Sequence, residues 1–266
     1  EYRIIMAPKV CILRTAGTNC DKETAFAFSS VGADTELVHV NKLITKEKKL
    51  SEYQVLALPG GFSYGDDVSS GKILANELRT KLIDDLKKFI EDGKLIIGIC
   101  NGFQVLVKSG LLPGNDTFAQ EASLIINDSG KFEDRWVYLK SVKSKAKSEK
   151  CVWTRGLPEV IYLPVAHGEG KFVVQDKTVL ERLQKDSEVV FQYCNQAGDL
   201  SGYPDNPNGS LDNIAGICDR TGRIFGMMPH PERHIGVFQH PRWLGKDEGV
   251  GLNIFKNGVE YVKKHF

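Results

Sequence analysis

The sequence has no apolar run of the roughly 18 to 20 residues that a membrane-spanning helix needs. Its first residues, EYRIIMAPKV, lack the long apolar core of a secretory signal. The formal charges almost cancel, since 35 Lys and Arg stand against 34 Asp and Glu. No whole-chain field therefore draws the protein to nucleic acid or to a membrane surface, and we expect neither as a partner.

Paired cysteines are also missing. The six cysteines are spread along the chain without a C-x-x-C pair, which favours reduced thiols in a cytoplasmic protein over a disulfide framework or a zinc site. The histidines do not show the spacing of zinc ligands, so we expect no metal. No G-x-x-x-x-G-K-S/T loop occurs, so we expect ATP to bind elsewhere than on this chain.

The composition is that of a globular protein, with 41% hydrophobic and 26% charged residues. We find no internal repeat and no clear linker, so we predict a single domain over residues 1–266. Patterns typical of strands and helices alternate in the first half. Strands are predicted at 9–17, 34–40, 53–61 and 94–100, and helices at 19–33, 72–93 and 101–110.

The second half changes character. We predict strands and a turn at 121–142, a solvated basic loop at 143–150, strands within 160–174, 188–194, 213–219 and 223–230, and a closing helix within 249–266. The early strands are continuously apolar, which is typical of parallel strands covered on both faces. The fold class is therefore predicted to be α/β, with an open, mostly parallel sheet flanked by helices on both faces.

The stretch GICNG, residues 98–102, places a thiol between a predicted strand and a predicted helix. Its spacing is that of a nucleophile elbow with sulfur in place of a hydroxyl, and the glycines relieve crowding at a sharp turn. The N-terminus of the following helix favours the thiolate of Cys100, and the N–H of Asn101 is placed to hold an oxyanion. A buried cysteine in a tight turn is the alternative interpretation.

The stretch MMPHPER, residues 227–233, offers a base and a group that orients it. His230 and Glu232 point to the same side of an extended chain, which the flanking prolines favour. A carboxylate beside an imidazole fixes its tautomer and stabilises its charged form. For this stretch alone, a surface histidine is the more common case.

The stretch ALPGGFSYGDD, residues 57–67, follows another apolar strand. Its adjacent glycines leave backbone N–H groups open to a ligand, so Gly61 or Phe62 could supply a second oxyanion donor. A plain glycine turn is the alternative.

Taken together in chain order, the Gly-Gly loop, the cysteine elbow and the His-Pro-Glu stretch resemble class I, or triad, glutamine amidotransferases. Within that family the chain resembles the glutaminase subunits of phosphoribosylformylglycinamidine synthase, on the stretches RTAGTNCDKET, PGGFSYGDD, GICNGFQVL, SGLLPG, RWVYLK, FQYCN and NPNGSLDNIAGICDRTGRIFGMMPHPER. The resemblance covers nearly the whole chain and implies a flavodoxin-like fold. It implies these roles: catalytic for Cys100, His230 and Glu232; oxyanion hole for Gly61 and Phe62, beside Asn101; glutamine binding for Gln104, His167, Gly168 and Glu169.

The resemblance also implies a reaction. Glutamine would be hydrolysed through a cysteine thioester, and the ammonia would pass to a partner synthetase that converts formylglycinamide ribonucleotide to formylglycinamidine ribonucleotide in purine synthesis. ATP and magnesium would bind to that synthetase, and a small third subunit is a further candidate partner. The chain departs from the family pattern in two places. It has extra length around 141–152, and it has Asp134 where the family leads us to expect cysteine. These departures bear on partner contacts more than on chemistry.

Three alternatives stay open at this point. The chain could serve another triad amidotransferase, for GMP or CTP synthesis, although the segment 206–233 argues against this. It could be a stand-alone γ-glutamyl thiol hydrolase. It could also be a non-catalytic regulatory or binding subunit, which the intact Cys100, His230 and Glu232 argue against.

Overall fold

The computed structural model describes residues 7–115, 117–142, 150–243 and 249–266. The predicted basic loop at 143–150 lies outside these residues except for its last position. In the ranges given, no helix combines the length and the apolar character that crossing a bilayer requires.

The described chain forms eleven strands and seven α-helices. The strands are β1 Lys9–Arg14, β2 Asp34–His39, β3 Val55–Leu58, β4 Leu95–Ile99, β5 Ala122–Ile125, β6 Glu133–Ser141, β7 Val160–His167, β8 Lys171–Val174, β9 Val189–Cys194, β10 Ile214–Cys218 and β11 Ile224–Met227. The helices are α1 Asp21–Ser30, α2 Val40–Ile44, α3 Lys72–Lys81, α4 Ile83–Glu91, α5 Asn101–Lys108, α6 Lys177–Lys185 and α7 Leu252–His265.

Nine strands form one sheet in the order β2-β1-β3-β4-β11-β10-β9-β6-β7, and β5 pairs with β8 separately. Neighbours from β2 to β11 are parallel, and neighbours from β11 to β7 are antiparallel. Alternation in that second part leaves only β10 and β6 running against the other seven strands. The predicted mostly parallel sheet is confirmed, although its antiparallel half was not foreseen.

The crossovers place helices on both faces. In the sheet, β2 lies on one side of β1, whereas β3 and β4 lie on the other side. The crossover from β1 to β2 therefore runs in the opposite direction to the crossover from β3 to β4. Because such crossovers are right-handed, α1 covers one face, while α3 and α4 cover the opposite face. This order also brings the carboxyl ends of β3, β4 and β11 together at one edge, where open α/β sheets bind ligands.

Strand β4 and helix α5 lie at the centre of the core. Every residue of both elements is buried. The sequence of β4 is apolar throughout because helices cover it on both faces and strands flank it on both sides. Cys100, between the two elements, is therefore held between two fully buried segments of the core.

Two predicted elements differ in the structure. The predicted helix at 72–93 is two helices, broken at Leu82, whose φ of −127° and ψ of 7° are not helical. Leu82 is buried, so this change of direction serves the packing of the core. The predicted strand region at 160–174 is divided between the large sheet and the small one. Helix α6, which Asp176 caps through the N–H groups of Thr178 and Val179, was not predicted.

Candidate active site

Cys100 occupies a sharp bend between β4 and α5. Its φ of 52° and ψ of −108° are strained for a residue with a side chain. Its N–H donates to the carbonyl of Met227 at 2.8 Å, which ties the bend to β11. A Cβ on Gly98 would lie 2.6 Å from the Gly102 oxygen, and a Cβ on Gly102 would lie 1.9 Å from the Leu58 oxygen. The elbow therefore requires both glycines for steric reasons.

His230 and Glu232 follow β11, the parallel neighbour of β4. His230 Nδ1 and Glu232 Oε1 are 2.6 Å apart, and both side chains are almost fully buried. In the part of the chain that the structure describes, the other ring nitrogen, Nε2, has no hydrogen-bond partner. A Cβ built on Gly60 would lie 2.8 Å from His230 Cε1 and 3.4 Å from Cys100 Cβ. Cys100 and His230 thus both lie beside Gly60, where any larger residue would crowd the imidazole ring.

The surroundings of His230 favour its charged form. Burial lowers its pKa, but the negative charges of Glu232 and of a Cys100 thiolate raise it, and the net direction is well above the ordinary value. The imidazolium is then stabilised by the Glu232 carboxylate at Nδ1. This is the charge state that a thiol nucleophile needs before it attacks.

A second thiol, Cys20, lies beside the imidazole and was not singled out from the sequence. Burial raises its pKa to about 11, although His230 and Arg233 act in the opposite direction. Arg233 Nη2 donates to its sulfur at 3.2 Å. Cys20 therefore remains a protonated thiol, and it lacks the strained elbow of Cys100. Its place in the stretch RTAGTNCDKET was the available signal.

Cys20, His230 and Glu232 each offer a metal-ligand atom within 4.8 Å of the other two. The 2.6 Å contact between His230 and Glu232 is already a hydrogen bond. We interpret the cluster as acid–base machinery, in which the carboxylate orients the ring.

The Gly-Gly loop after β3 lies beside the first loop of the chain. The N–H of Phe62 donates to the carbonyl of Gly17 at 2.9 Å, within a bridge between Thr18 and Gly61. Gly61 lines the pocket, and its N–H takes no part in that hydrogen bond. A Cβ on Gly61, at φ 140°, would lie 2.7 Å from the Gly17 oxygen. Of the two predicted donors on this loop, Gly61 is thus the better placed.

A pocket of about 220 Å³ opens beside the thiol. It is lined by Gly61, Phe62, Asp66, Ser70, Cys100, Gln104, Phe132, Ala166, His167, Gly168 and Glu169. All four residues predicted to bind glutamine are in this lining. Sequence reasoning missed Asp66, Ser70, Phe132 and Ala166. Asp66 and Ser70 are in or just after the quoted Gly-Gly stretch, whereas Phe132 and Ala166 reach the pocket only through the antiparallel half of the sheet.

The surrounding protein fixes the side chain of Gln104 and the charge state of His167. Gln104 donates from Nε2 to the Glu169 carbonyl at 2.6 Å and accepts at Oε1 from Asn101 Nδ2 at 2.9 Å. Burial lowers the pKa of His167 to about 3, and the charge of His230 acts in the same direction. His167 is therefore a neutral pocket wall near neutral pH, and Gln104 fixes the turn that carries Glu169.

Comparisons with known proteins agree with this geometry. The model of the CobB/CobQ-like glutamine amidotransferase domain family matches residues 7–262. A protein of Dehalococcoides mccartyi named phosphoribosylformylglycinamidine synthase subunit PurQ is 49% identical over 259 residues, which cover 96% of this chain and 98% of that one. A protein of the same name from Methanococcus maripaludis is 45% identical over 276 residues, covering 97% of this chain and all of that one.

Solved structures resemble the fold as well. A chain from the structure of PurLQS from Thermotoga maritima superposes with a TM-score of 0.71 and 32% identity, over 97% of this chain and 100% of that one. Another protein of Thermotoga maritima, described as a glutamine amidotransferase, superposes with a TM-score of 0.57 at 17% identity, over 97% of this chain and 99% of that one. At that identity the second likeness shows the fold alone.

Proposed function

The chain belongs to the CobB/CobQ-like glutamine amidotransferase family, and we propose that Cys100 is the nucleophile with which it releases ammonia from glutamine for a partner synthetase of purine synthesis. The observation that carries this proposal is the strained Cys100 elbow beside the buried His230–Glu232 pair. Both stand at the carboxyl ends of neighbouring parallel strands, and Cys100 lines the pocket. A thiolate, a base and an orienting carboxylate are the parts that acyl transfer from an amide requires.

The first half of the reaction forms a thioester. The Cys100 thiolate attacks the side-chain carbonyl carbon of glutamine, and the N–H groups of Gly61 and Asn101 hold the resulting oxyanion. As the tetrahedral intermediate collapses, the carbon–nitrogen bond breaks and the His230 imidazolium gives its proton to the leaving nitrogen. The products are ammonia and a glutamyl thioester on Cys100.

The second half restores the thiolate. Neutral His230 takes a proton from a water molecule, and the oxygen attacks the thioester carbon. The carbon–sulfur bond breaks, glutamate leaves, and His230 is again an imidazolium. Glu232 stabilises that cation at both stages, through its 2.6 Å contact with Nδ1.

The ammonia is passed to the synthetase that makes formylglycinamidine ribonucleotide. The synthetase would bind ATP and magnesium, and a small third subunit would complete the assembly; the relative of known structure is described as PurLQS. We place the reaction in the cytoplasm and treat residues 1–266 as one domain, a view supported by the match over 7–262. Relatives named PurQ, at 37–49% identity, favour this substrate over the GMP and CTP alternatives.

The test separates glutamine use from synthesis. The variant Cys100→Ala, assembled with the partner synthetase, should lose glutamine-dependent synthesis while keeping ammonia-dependent synthesis. The matched control is Cys218→Ala, which removes another buried thiol from the same sheet. It should keep both activities.

Three results would contradict the proposal. Equal loss of both activities in Cys100→Ala would mean that the thiol serves folding or assembly. Glutamine use that survives the substitution would exclude Cys100 as the nucleophile. Activity on γ-glutamyl substrates by the isolated chain, at the rate of the complex, would favour a stand-alone hydrolase.

A further inference from the structure

The pocket contains a carboxylate that the reaction steps above do not use. Asp66 lines it from the turn between β3 and α3, and it is half-buried. Three donors fix its orientation. The Gly71 N–H and Asn101 Nδ2 donate to Oδ1 at 3.2 and 3.0 Å, and Ser70 Oγ donates to Oδ2 at 2.9 Å. The carboxylate is thus held rigidly at the pocket wall.

Asp66 still has hydrogen-bonding capacity. A carboxylate offers about four lone-pair sites, two on each oxygen. Two donors share Oδ1, whereas Oδ2 accepts from Ser70 alone. One acceptor site on Oδ2 therefore remains for a donor from the pocket.

Asp66 forms no salt bridge within the described residues, although burial lowers the pKa of Lys108 and the charge of Asp66 acts to raise it. Lys108, which is buried at the same wall, instead contacts Ser70 O and pairs with Glu169 at 3.5 Å. Across the ranges that the structure describes, no Lys, Arg or His nitrogen lies within 4.0 Å of the Asp66 carboxylate. Lys108 therefore pairs directly with Glu169 and acts on Asp66 only over a longer distance.

Burial also disfavours the charged form of Asp66. Loss of water raises the pKa of Asp66, the three hydrogen bonds lower it, and the charge of Glu169 raises it further, for a net upward shift. A charged carboxylate at this wall is therefore incompletely stabilised by the protein. A cationic group entering the pocket would supply the missing stabilisation.

Asp66 also belongs to a closed ring of hydrogen bonds. From Asp66 the ring passes through Asn101 and Gln104 to the Glu169 carbonyl. It returns from the Glu169 carboxylate through the N–H and hydroxyl of Ser70. Gln104 uses both ends of its amide within this ring, and the Glu169 carboxylate is paired with Lys108, so of the ring's two carboxylates Asp66 is the one without a salt bridge among the described residues.

We propose that Asp66 binds the α-ammonium group of glutamine and thereby selects an amino acid over a simple carboxamide. The inference rests on the proposed function, since glutamine is the ligand concerned. A charge-assisted hydrogen bond from the ammonium to Oδ2 would use the open acceptor site. It would also hold the side-chain amide at the Cys100 end of the pocket.

The experiment compares two substrates in the complex with the partner synthetase. L-Glutamine carries the α-ammonium, whereas glutaramate has the same carboxamide and carboxylate without it. The test variant is Asp66→Asn, and the matched control is Asp67→Asn, the exposed neighbouring residue outside the pocket lining. Asp66→Asn should raise KM for glutamine about 10- to 100-fold, the range for a charge-assisted hydrogen bond, and change kcat less than about threefold.

The second substrate separates recognition from structure. For glutaramate, kcat/KM should be the same in Asp66→Asn, Asp67→Asn and the unmodified chain. Equal losses on both substrates would mean that Asp66 acts through Asn101 on the oxyanion hole, and would overturn the proposal. An unchanged KM for glutamine would overturn it too.

A measurement on the unmodified complex needs no variant. It should prefer glutamine over glutaramate by about the factor lost in Asp66→Asn. Equal use of the two substrates would refute ammonium recognition at Asp66. The proposed function would survive that result, because it depends on Cys100→Ala and not on this comparison.

Discussion

Replacing Glu232 by Gln removes the negative charge behind His230 and keeps the size of the side chain. Glu232 is fully buried, and its Oε1 lies 2.6 Å from His230 Nδ1. In the variant, the amide nitrogen can donate to Nδ1 and hold the imidazole proton on Nε2. That tautomer cannot accept a proton from Cys100, so the thiolate would form less readily.

The size of the effect follows from the geometry. Because each charge is spread over its group, a 2.6 Å contact corresponds to charge centres about 4 Å apart. At an effective dielectric constant of about 20, two unit charges at that distance attract by about 4 kcal/mol. At about 1.4 kcal/mol per factor of ten, glutamine hydrolysis should slow about a thousandfold.

Two assays check this prediction. Ammonia release from glutamine should fall about a thousandfold in Glu232→Gln, while ammonia-dependent synthesis by the complex stays intact as the control for folding. Alkylation of Cys100 by iodoacetamide, followed on its peptide, should slow in parallel. The exposed substitution Glu260→Gln on α7 is the matched control. Glutamine hydrolysis within threefold of normal in Glu232→Gln would refute the role given to this carboxylate.

Two further predictions concern stability. Gly102→Ala should lower the free energy of unfolding by about 1 to 3 kcal/mol, because its Cβ would lie 1.9 Å from the backbone oxygen of Leu58. Urea denaturation measures this loss, with Gly202→Ala, where the space is open, as the control. Equal free energies of unfolding for the two variants would contradict the prediction. Burial raises the pKa of Glu188 to about 7, although Lys150 opposes this. The folded state therefore holds this proton more tightly, and the resulting stability is present below about pH 4.5 and lost as pH rises through 7. Glu188→Gln should then be more stable than the unmodified chain at pH 8 by up to about 3 kcal/mol, a difference that vanishes below pH 4.5; equal melting temperatures at pH 8 would exclude this.

The parallel half of the fold was predictable because β1, β3 and β4 are separate apolar runs and β2 has an alternating pattern. Strand β4 is buried along its whole length, so its period carries no polar positions. The break at Leu82 was not predictable, because the flanking helices α3 and α4 have compatible periods and the turn serves packing alone. Helix α6 did carry a local signal, with Asp176 as N-cap and Val179 and Leu183 four residues apart on its buried side.

The candidate site divides in the same way. The elbow and the His230–Glu232 pair follow from local spacing, since turn geometry and extended chain act over a few residues. Asp66 and Cys20 carry no such spacing signal, although both lie in stretches quoted from the sequence, because their importance arises from what the fold places beside them. Cys20 lies against an imidazole 210 positions away, and Asp66 acts through contacts with α5 and with the turn that carries Glu169.

The antiparallel half of the sheet explains why the site is closed. Strand β7 is the last strand of the sheet, four places from β11, yet its Pro164 carbonyl accepts from the His230 N–H at 2.8 Å. The Cys100 thiol likewise points to the Ala166 carbonyl at 3.6 Å. Register shifts between β9 and β10 mark a bulge, which bends a sheet and increases its twist. The bend returns β7 over the carboxyl ends of β4 and β11. This edge strand therefore lines the pocket with Ala166 and His167, and the segment that carries His230 covers part of it.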